Sequence, residues 1–68
     1  MSTIHITLNG QTLELPDGAT LADAARASGV QPPFAAAVNL QFVPRAQYPN
    51  TLLKAGDQVE LISPVTGG

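Results

Sequence analysis

The sequence predicts an α+β roll, in which a mixed sheet of about five strands carries one main helix on one face. Three observations lead there. Apolar residues alternate with polar ones near both ends of the chain, one short segment combines helical periodicity with helix caps, and 68 residues leave room for a single domain. A helix that leaves one strand and returns the chain to the same sheet can bury its apolar face only against one side of it. At this size only about 60% of the unfolded chain's surface is buried on folding, so stability depends on a well-chosen core.

Residues Thr3 to Leu8 alternate strictly, with Ile4, Ile6 and Leu8 on one side and Thr3, His5 and Thr7 on the other. That is the period of a half-buried strand. Asn9-Gly10 tolerates the two positive φ angles of a type I′ turn, and Gln11 to Leu15 alternates again, which completes an N-terminal hairpin. Pro16-Asp17-Gly18 is a turn by its chemistry. Thr20 is an N-cap, Asp23 falls in the acid-favoured first turn and Gly29 closes the helix in the left-handed conformation, so the helix spans Leu21 to Ser28. Leu21, Ala24, Ala25 and Ser28 share a face, and Val30 extends the apolar seam. The many alanines suit a helix lying close on a sheet.

Ala35-Ala36-Ala37-Val38 has the propensity of a helix. It reads as a strand nonetheless, because Pro32-Pro33 favours extended backbone before it, the run is short, and Asn39 begins a turn into Gln41-Phe42-Val43. Pro44 confines that last strand to a sheet edge or ends it. Arg45 to Leu53 is irregular with one helical turn, and Tyr48, Leu52 and Leu53 supply apolar cover. Ala55-Gly56-Asp57 is a second turn, and Gln58 to Ile62 forms the final strand with Val59 and Leu61 facing in. This strand is expected beside and parallel to the first. Residues 1–63 then make the folded domain, and 64–68 are expected to form a flexible tail, since Pro64 blocks further ladder donation.

Composition narrows the chemistry. The chain has no Cys, which excludes disulfides, thiolate metal sites and cysteine nucleophiles together. His5 is the single histidine and cannot build a metal site without convergent ligands; it is expected on the solvated face of its strand. The basic residues Arg26, Arg45 and Lys54 do not cluster, and the acidic residues Glu14, Asp17, Asp23, Asp57 and Glu60 outnumber them. Such a surface does not attract a phosphate backbone, so nucleic acid is not an expected partner. No leader of signal-peptide length is visible and no run approaches the ~20 apolar residues of a membrane span, so a cytoplasmic protein with no membrane partner is expected.

The sequence ends Thr66-Gly67-Gly68. With Gly usage near 7%, two consecutive glycines at a terminus would arise by chance in roughly half a per cent of chains. Glycine is also the residue that loses most entropy when ordered. The end reads as a substrate, against the alternative of an ordinary frayed terminus. An α-carboxyl group with a pKa near 3.5 is ionised at neutral pH, which makes the oxygen of Gly68 a nucleophile.

Asn39-Leu40-Gln41-Phe42-Val43-Pro44-Arg45, then Tyr48, then Leu53-Lys54-Ala55-Gly56-Asp57-Gln58-Val59-Glu60, then Gly67-Gly68, together resemble the ThiS family, the sulfur carrier proteins of thiazole (thiamine) biosynthesis. The resemblance covers nearly the whole chain and implies the ubiquitin-like β-grasp fold. It further implies that an E1-like adenylyltransferase uses ATP to adenylate the Gly68 carboxylate. Sulfur from a cysteine desulfurase relay would then displace AMP to leave a thiocarboxylate, from which thiazole synthase takes the sulfur.

On this reading Gly68 is the adenylation and thiocarboxylate site, while Gly67, Thr66 and Val65 give the partner access to it. The chain is then a carrier and substrate, not an enzyme, with no catalytic residue, no metal and no cofactor of its own. Glycine suits both terminal positions because an arm without Cβ atoms can thread a narrow channel. Leu40 stands where the family often has Gly or Gln, which weakens a tight-turn reading after Asn39. The ending Pro64 to Gly68 also resembles the small subunit of molybdopterin synthase, a relative of the same fold. Val43-Pro44-Arg45 and the short length favour the thiazole branch. Readings of another kind are a β-grasp interaction module with an incidental Gly-Gly end and a ubiquitin-like modifier of lysines. Val65 and the apolar residues of the exposed sheet face are candidates for partner docking. Arg45 pairs either with a partner carboxylate or with Asp57 or Glu60 at home.

Overall fold

The strand periodicities and the capped helix are realised in order. The computed structural model describes residues 2–30 and 33–63, and it runs β1 (Thr3–Leu8), β2 (Gln11–Pro16), α1 (Leu21–Ser28), β3 (Ala35–Val38), β4 (Gln41–Val43), a 3-10 helix (Arg45–Asn50) and β5 (Gln58–Ile62). The strands form one sheet of order β2-β1-β5-β3-β4. β1 and β2 pair antiparallel from Thr3 opposite Pro16 to Leu8 opposite Gln11. The helix carries the chain from β2 to β3, and the segment after β4, through the 3-10 helix, brings β5 back beside β1 in parallel, with Thr7 opposite Gln58 and Leu8 opposite Val59. β3 lies antiparallel to both β5 and β4.

Alternation puts Ile4, Ile6, Leu15, Ala36, Val59 and Leu61 on the face that meets the helix, and all six are buried. From the helix, Leu21, Ala24 and Ala25 enter the same core, with Leu21 and Ala24 wholly inaccessible. Val30 packs against this core, as the periodicity predicts.

The helix start is over-determined. The Thr20 hydroxyl accepts from the Asp23 N–H at 3.2 Å while the Asp23 carboxylate accepts from the Thr20 N–H at 2.9 Å, a reciprocal capping box. Gly29 closes the helix at φ 79°.

Three details differ from the expectations. The irregular segment after Pro44 is a six-residue 3-10 helix rather than one turn, anchored by the buried ring of Tyr48, which stacks on Phe34 with centroids 5.6 Å apart. Leu52 gives no cover: it is 65% exposed. Its backbone is extended in a bridge to Thr20, and successive side chains of extended chain point opposite ways, so Leu53 takes the core position. The hairpin after β3 is tight despite Leu40, with Asn39 at φ 51° and Leu40 at φ 69°. A left-handed conformation at a residue with a Cβ costs roughly 1–2 kcal/mol, which the flanking ladder between β3 and β4 offsets.

Candidate functional site: the β5 exit and the open sheet face

The sequence-derived site residues Val65, Thr66, Gly67 and Gly68 lie outside the described residues. What leads to them is β5, the central strand, held by β1 on one side and β3 on the other. Both ends of β5 are gripped by asparagines from turns. At its start the Asn39 Oδ1 accepts from the Gln58 N–H at 2.9 Å, and Asn39 Nδ2 donates to the Asp57 carboxylate at 3.1 Å. The other oxygen of Asp57 accepts from the Lys54 N–H at 2.8 Å, closing the turn into the strand. Near its end the Asn9 side chain both accepts from the Leu61 N–H and donates to the Leu61 carbonyl. Sequence reasoning saw these asparagines only as turn formers. Both sit at positive φ, 52° at Asn9 and 51° at Asn39, as turn chemistry predicts, but their side-chain bonds to β5 depend on strand register that local sequence does not record.

The sheet face away from the helix carries a mixture of side chains. His5 is exposed there between Thr3 and Thr7, the solvated setting its alternation predicts. Toward the other edge the surface becomes apolar. Phe42 stands opposite Ala37 and Ile62 opposite Ala35 in register, while Phe42, Ile62 and the nearby turn residue Leu40 are 70%, 60% and 83% exposed. These large apolar groups adjoin the strand from which residues 64–68 continue. Exposed patches of this kind mark interaction surfaces when contiguous.

Electrostatics is sparse. Arg26 pairs with Asp23 at 3.3 Å, the one ion pair among the described residues. Arg45 is exposed and pairs with neither Asp57 nor Glu60, so the home pairing expected as one alternative is not formed. The Asp23 carboxyl is held below its ordinary value of 3.8, first by the hydrogen bond from the Thr20 backbone, then by the Thr20 hydroxyl, with a smaller contribution from the charge of Arg26. Among the described residues no cluster of His, Asp and Glu is placed to hold a metal ion. No helix there is long and apolar enough to cross a membrane.

A five-stranded mixed sheet over one helix, with its last strand parallel to its first, makes this a ubiquitin-like β-grasp domain. The model of the ThiS family matches residues 5–68, and the chain belongs to that family, the sulfur carriers of thiamine biosynthesis. Among solved structures it is similar to the thiamine biosynthesis protein ThiS of Geobacter metallireducens, at 22% identity and a TM-score of 0.78, over 96% of this chain and 100% of that one. That likeness shows the fold. No curated protein matches the sequence.

Proposed function

We propose that this protein carries sulfur as a thiocarboxylate on Gly68 and delivers it to thiazole formation. The observation that supports the reading most is the family match over residues 5–68, which takes in Gly67-Gly68 together with the strand that leads to them. In the proposed reaction an oxygen of the Gly68 carboxylate attacks the α-phosphorus of ATP on an E1-like adenylyltransferase. The bond to the β-phosphate breaks and pyrophosphate leaves. The outer sulfur of a persulfide on a cysteine desulfurase relay then attacks the acyl carbon and displaces AMP, and a thiol reductant cleaves the S–S bond of the resulting acyl disulfide, so that sulfur replaces one terminal oxygen. Thiazole synthase consumes the thiocarboxylate. ATP belongs to the activating enzyme, and the carrier contributes no cofactor.

Each part of the chain has a separate task in this scheme. Gly67 and Gly68, without Cβ atoms, pass a narrow channel in the partner, and Val65 and Thr66 connect them to the domain. The apolar surface around Phe42, Ile62 and Leu40 docks the partner enzymes. Arg45, exposed and without an ion-pair partner among the described residues, is available to a partner carboxylate. The working compartment is the cytoplasm, where the activating enzyme finds ATP.

The test is reconstitution: the protein with an adenylyltransferase, ATP and a sulfide donor, followed by thiazole synthase or molybdopterin synthase large subunit. Sulfur transfer to thiazole product supports the reading. Transfer to the pterin alone places the chain in the molybdopterin branch, and an isopeptide-linked product makes it a protein modifier.

A further inference from the structure

β1 stops short of its neighbour. The chain turns away at Asn9 and Gly10, with φ of 52° and 84°, while β5 runs on to Ile62. The main-chain pairing on this side reaches the bond from the Asn9 N–H to the Val59 carbonyl at 2.9 Å. A regular parallel ladder would continue to the N–H and carbonyl of Leu61, and no backbone is left to meet them. The Asn9 side chain meets them instead: Oδ1 accepts from the Leu61 N–H at 2.9 Å and Nδ2 donates to the Leu61 carbonyl at 3.2 Å. A carboxamide carries the donor and acceptor of a peptide group, so Asn9 adds one more rung to the ladder with its side chain.

We propose that Asn9 is a positioning residue for the C-terminal arm: by pinning Leu61 it fixes where β5 ends, and with that the origin and length of the segment that presents Gly68. The inference rests on the carrier reading above. Turn chemistry favours Asn at this position but does not require it, since Gly also accepts the positive φ; the two bonds to Leu61 are what Gly could not supply. Asn39 grips the same strand at its other end, at Gln58, but only the Asn9 contact lies at the exit.

The consequence is kinetic. On its other side β5 is paired as far as Ile62 opposite Ala35; without Asn9 the residues from Leu61 onward are held on one side only. Each residue that frays must be ordered again when the carboxylate enters the activating enzyme. Fixing one residue's backbone corresponds to roughly five- to thirtyfold in an equilibrium. The docking surface around Phe42 is untouched, so the loss should fall on the chemical step and not on encounter.

The experiment compares the unaltered protein with Asn9→Gly, which keeps the turn and removes both bonds, and with Thr20→Ala, which loses the helix cap far from the exit. ATP–pyrophosphate exchange with a ThiS-activating adenylyltransferase should show kcat for Asn9→Gly lowered about tenfold, with KM for the carrier within about twofold. Thr20→Ala should behave as the unaltered protein. Amide exchange at Leu61 should quicken about tenfold or more in Asn9→Gly. Unchanged kcat in Asn9→Gly, or unchanged protection at Leu61, overturns the positioning role while leaving the carrier reading intact. If the unaltered protein supports no exchange at all, the carrier reading fails and this inference falls with it.

Discussion

Leu40 holds a left-handed conformation at the tip of the β3–β4 hairpin while 83% of its side chain is exposed. Neither its backbone nor its burial favours leucine there. Replacing it with Gly removes roughly 1–2 kcal/mol of strain and adds about 0.5–1 kcal/mol of unfolded-state entropy. Leu40→Gly should therefore raise stability by up to about 1.5 kcal/mol in a urea titration, and it should weaken binding to the adenylyltransferase if the side chain docks. Stronger binding by Leu40→Gly would remove Leu40 from the docking surface. The sequence showed the Asn39 turn but not its tightness, because Leu40 disfavours the geometry and only the pairing of β3 with β4 imposes it. The grip of Asn9 on Leu61 was equally hidden, since it depends on the register of strands 52 residues apart. By contrast the Thr20 and Asp23 caps were legible, because both partners lie within one helical turn. Asp23 titrates below its ordinary value in the folded protein, mainly through Thr20, so its contribution is present above the unfolded pKa and is lost as pH falls through the lowered folded one. Melting temperature should decline in acid across that window. Thr20→Ala should cost about 0.5–2 kcal/mol at neutral pH and, because it removes the hydroxyl but keeps the backbone N–H that lowers Asp23 most, should flatten the decline only in part; a decline steeper than that of the unaltered protein would contradict the hydroxyl's share.

At the scale of elements, the central ambiguity was the alanine run of β3, whose propensity is helical. The diproline before it and the turn after it decided for a strand, and sheet pairing on both sides completes the case: Ala36 faces Leu61 and Val43 on the buried side, while Ala37 faces Glu60 and Phe42 on the open side. Small residues on β3 leave Phe42 and Ile62 standing proud of the sheet. That relief makes the edge β3–β4 the expected contact element for a partner enzyme. Phe42→Ala should change stability within about ±0.5 kcal/mol, as for exposed positions generally. It should raise the KM of the adenylyltransferase for the carrier with little change in kcat, measured by pyrophosphate exchange. A wild-type KM would move the docking surface elsewhere. The segment after Pro44 was the least legible. Its 3-10 helix is set by the tertiary fit of Tyr48 against Phe34 and the core, while Leu52 is turned outward by the bridge to Thr20. Periodicity in the local sequence records neither.

At the scale of the whole molecule, the topology places the strand that leads to Gly67-Gly68 in the middle of the sheet, held by two neighbouring strands, by Asn39 at its start and by Asn9 near its exit. On the proposed function, fold and chemistry belong to separate parts of the chain and should respond separately to mutation. Gly67→Val and deletion of Gly68 should each leave thermal stability within about ±0.5 kcal/mol. Both should abolish activation. The deletion withdraws the carboxylate by about 3.3–3.6 Å, where about 1 Å of misplacement already costs a hundredfold, and the valine places a branched side chain in the partner's channel. Normal pyrophosphate exchange in both variants would return the Gly-Gly end to an ordinary terminus. The most direct test is the mass of the C-terminal peptide after the protein has been incubated with the adenylyltransferase, ATP and a sulfur donor. Replacement of one oxygen by sulfur on Gly68 is the predicted result; a peptide that stays unmodified under conditions where a known sulfur carrier is converted would contradict it.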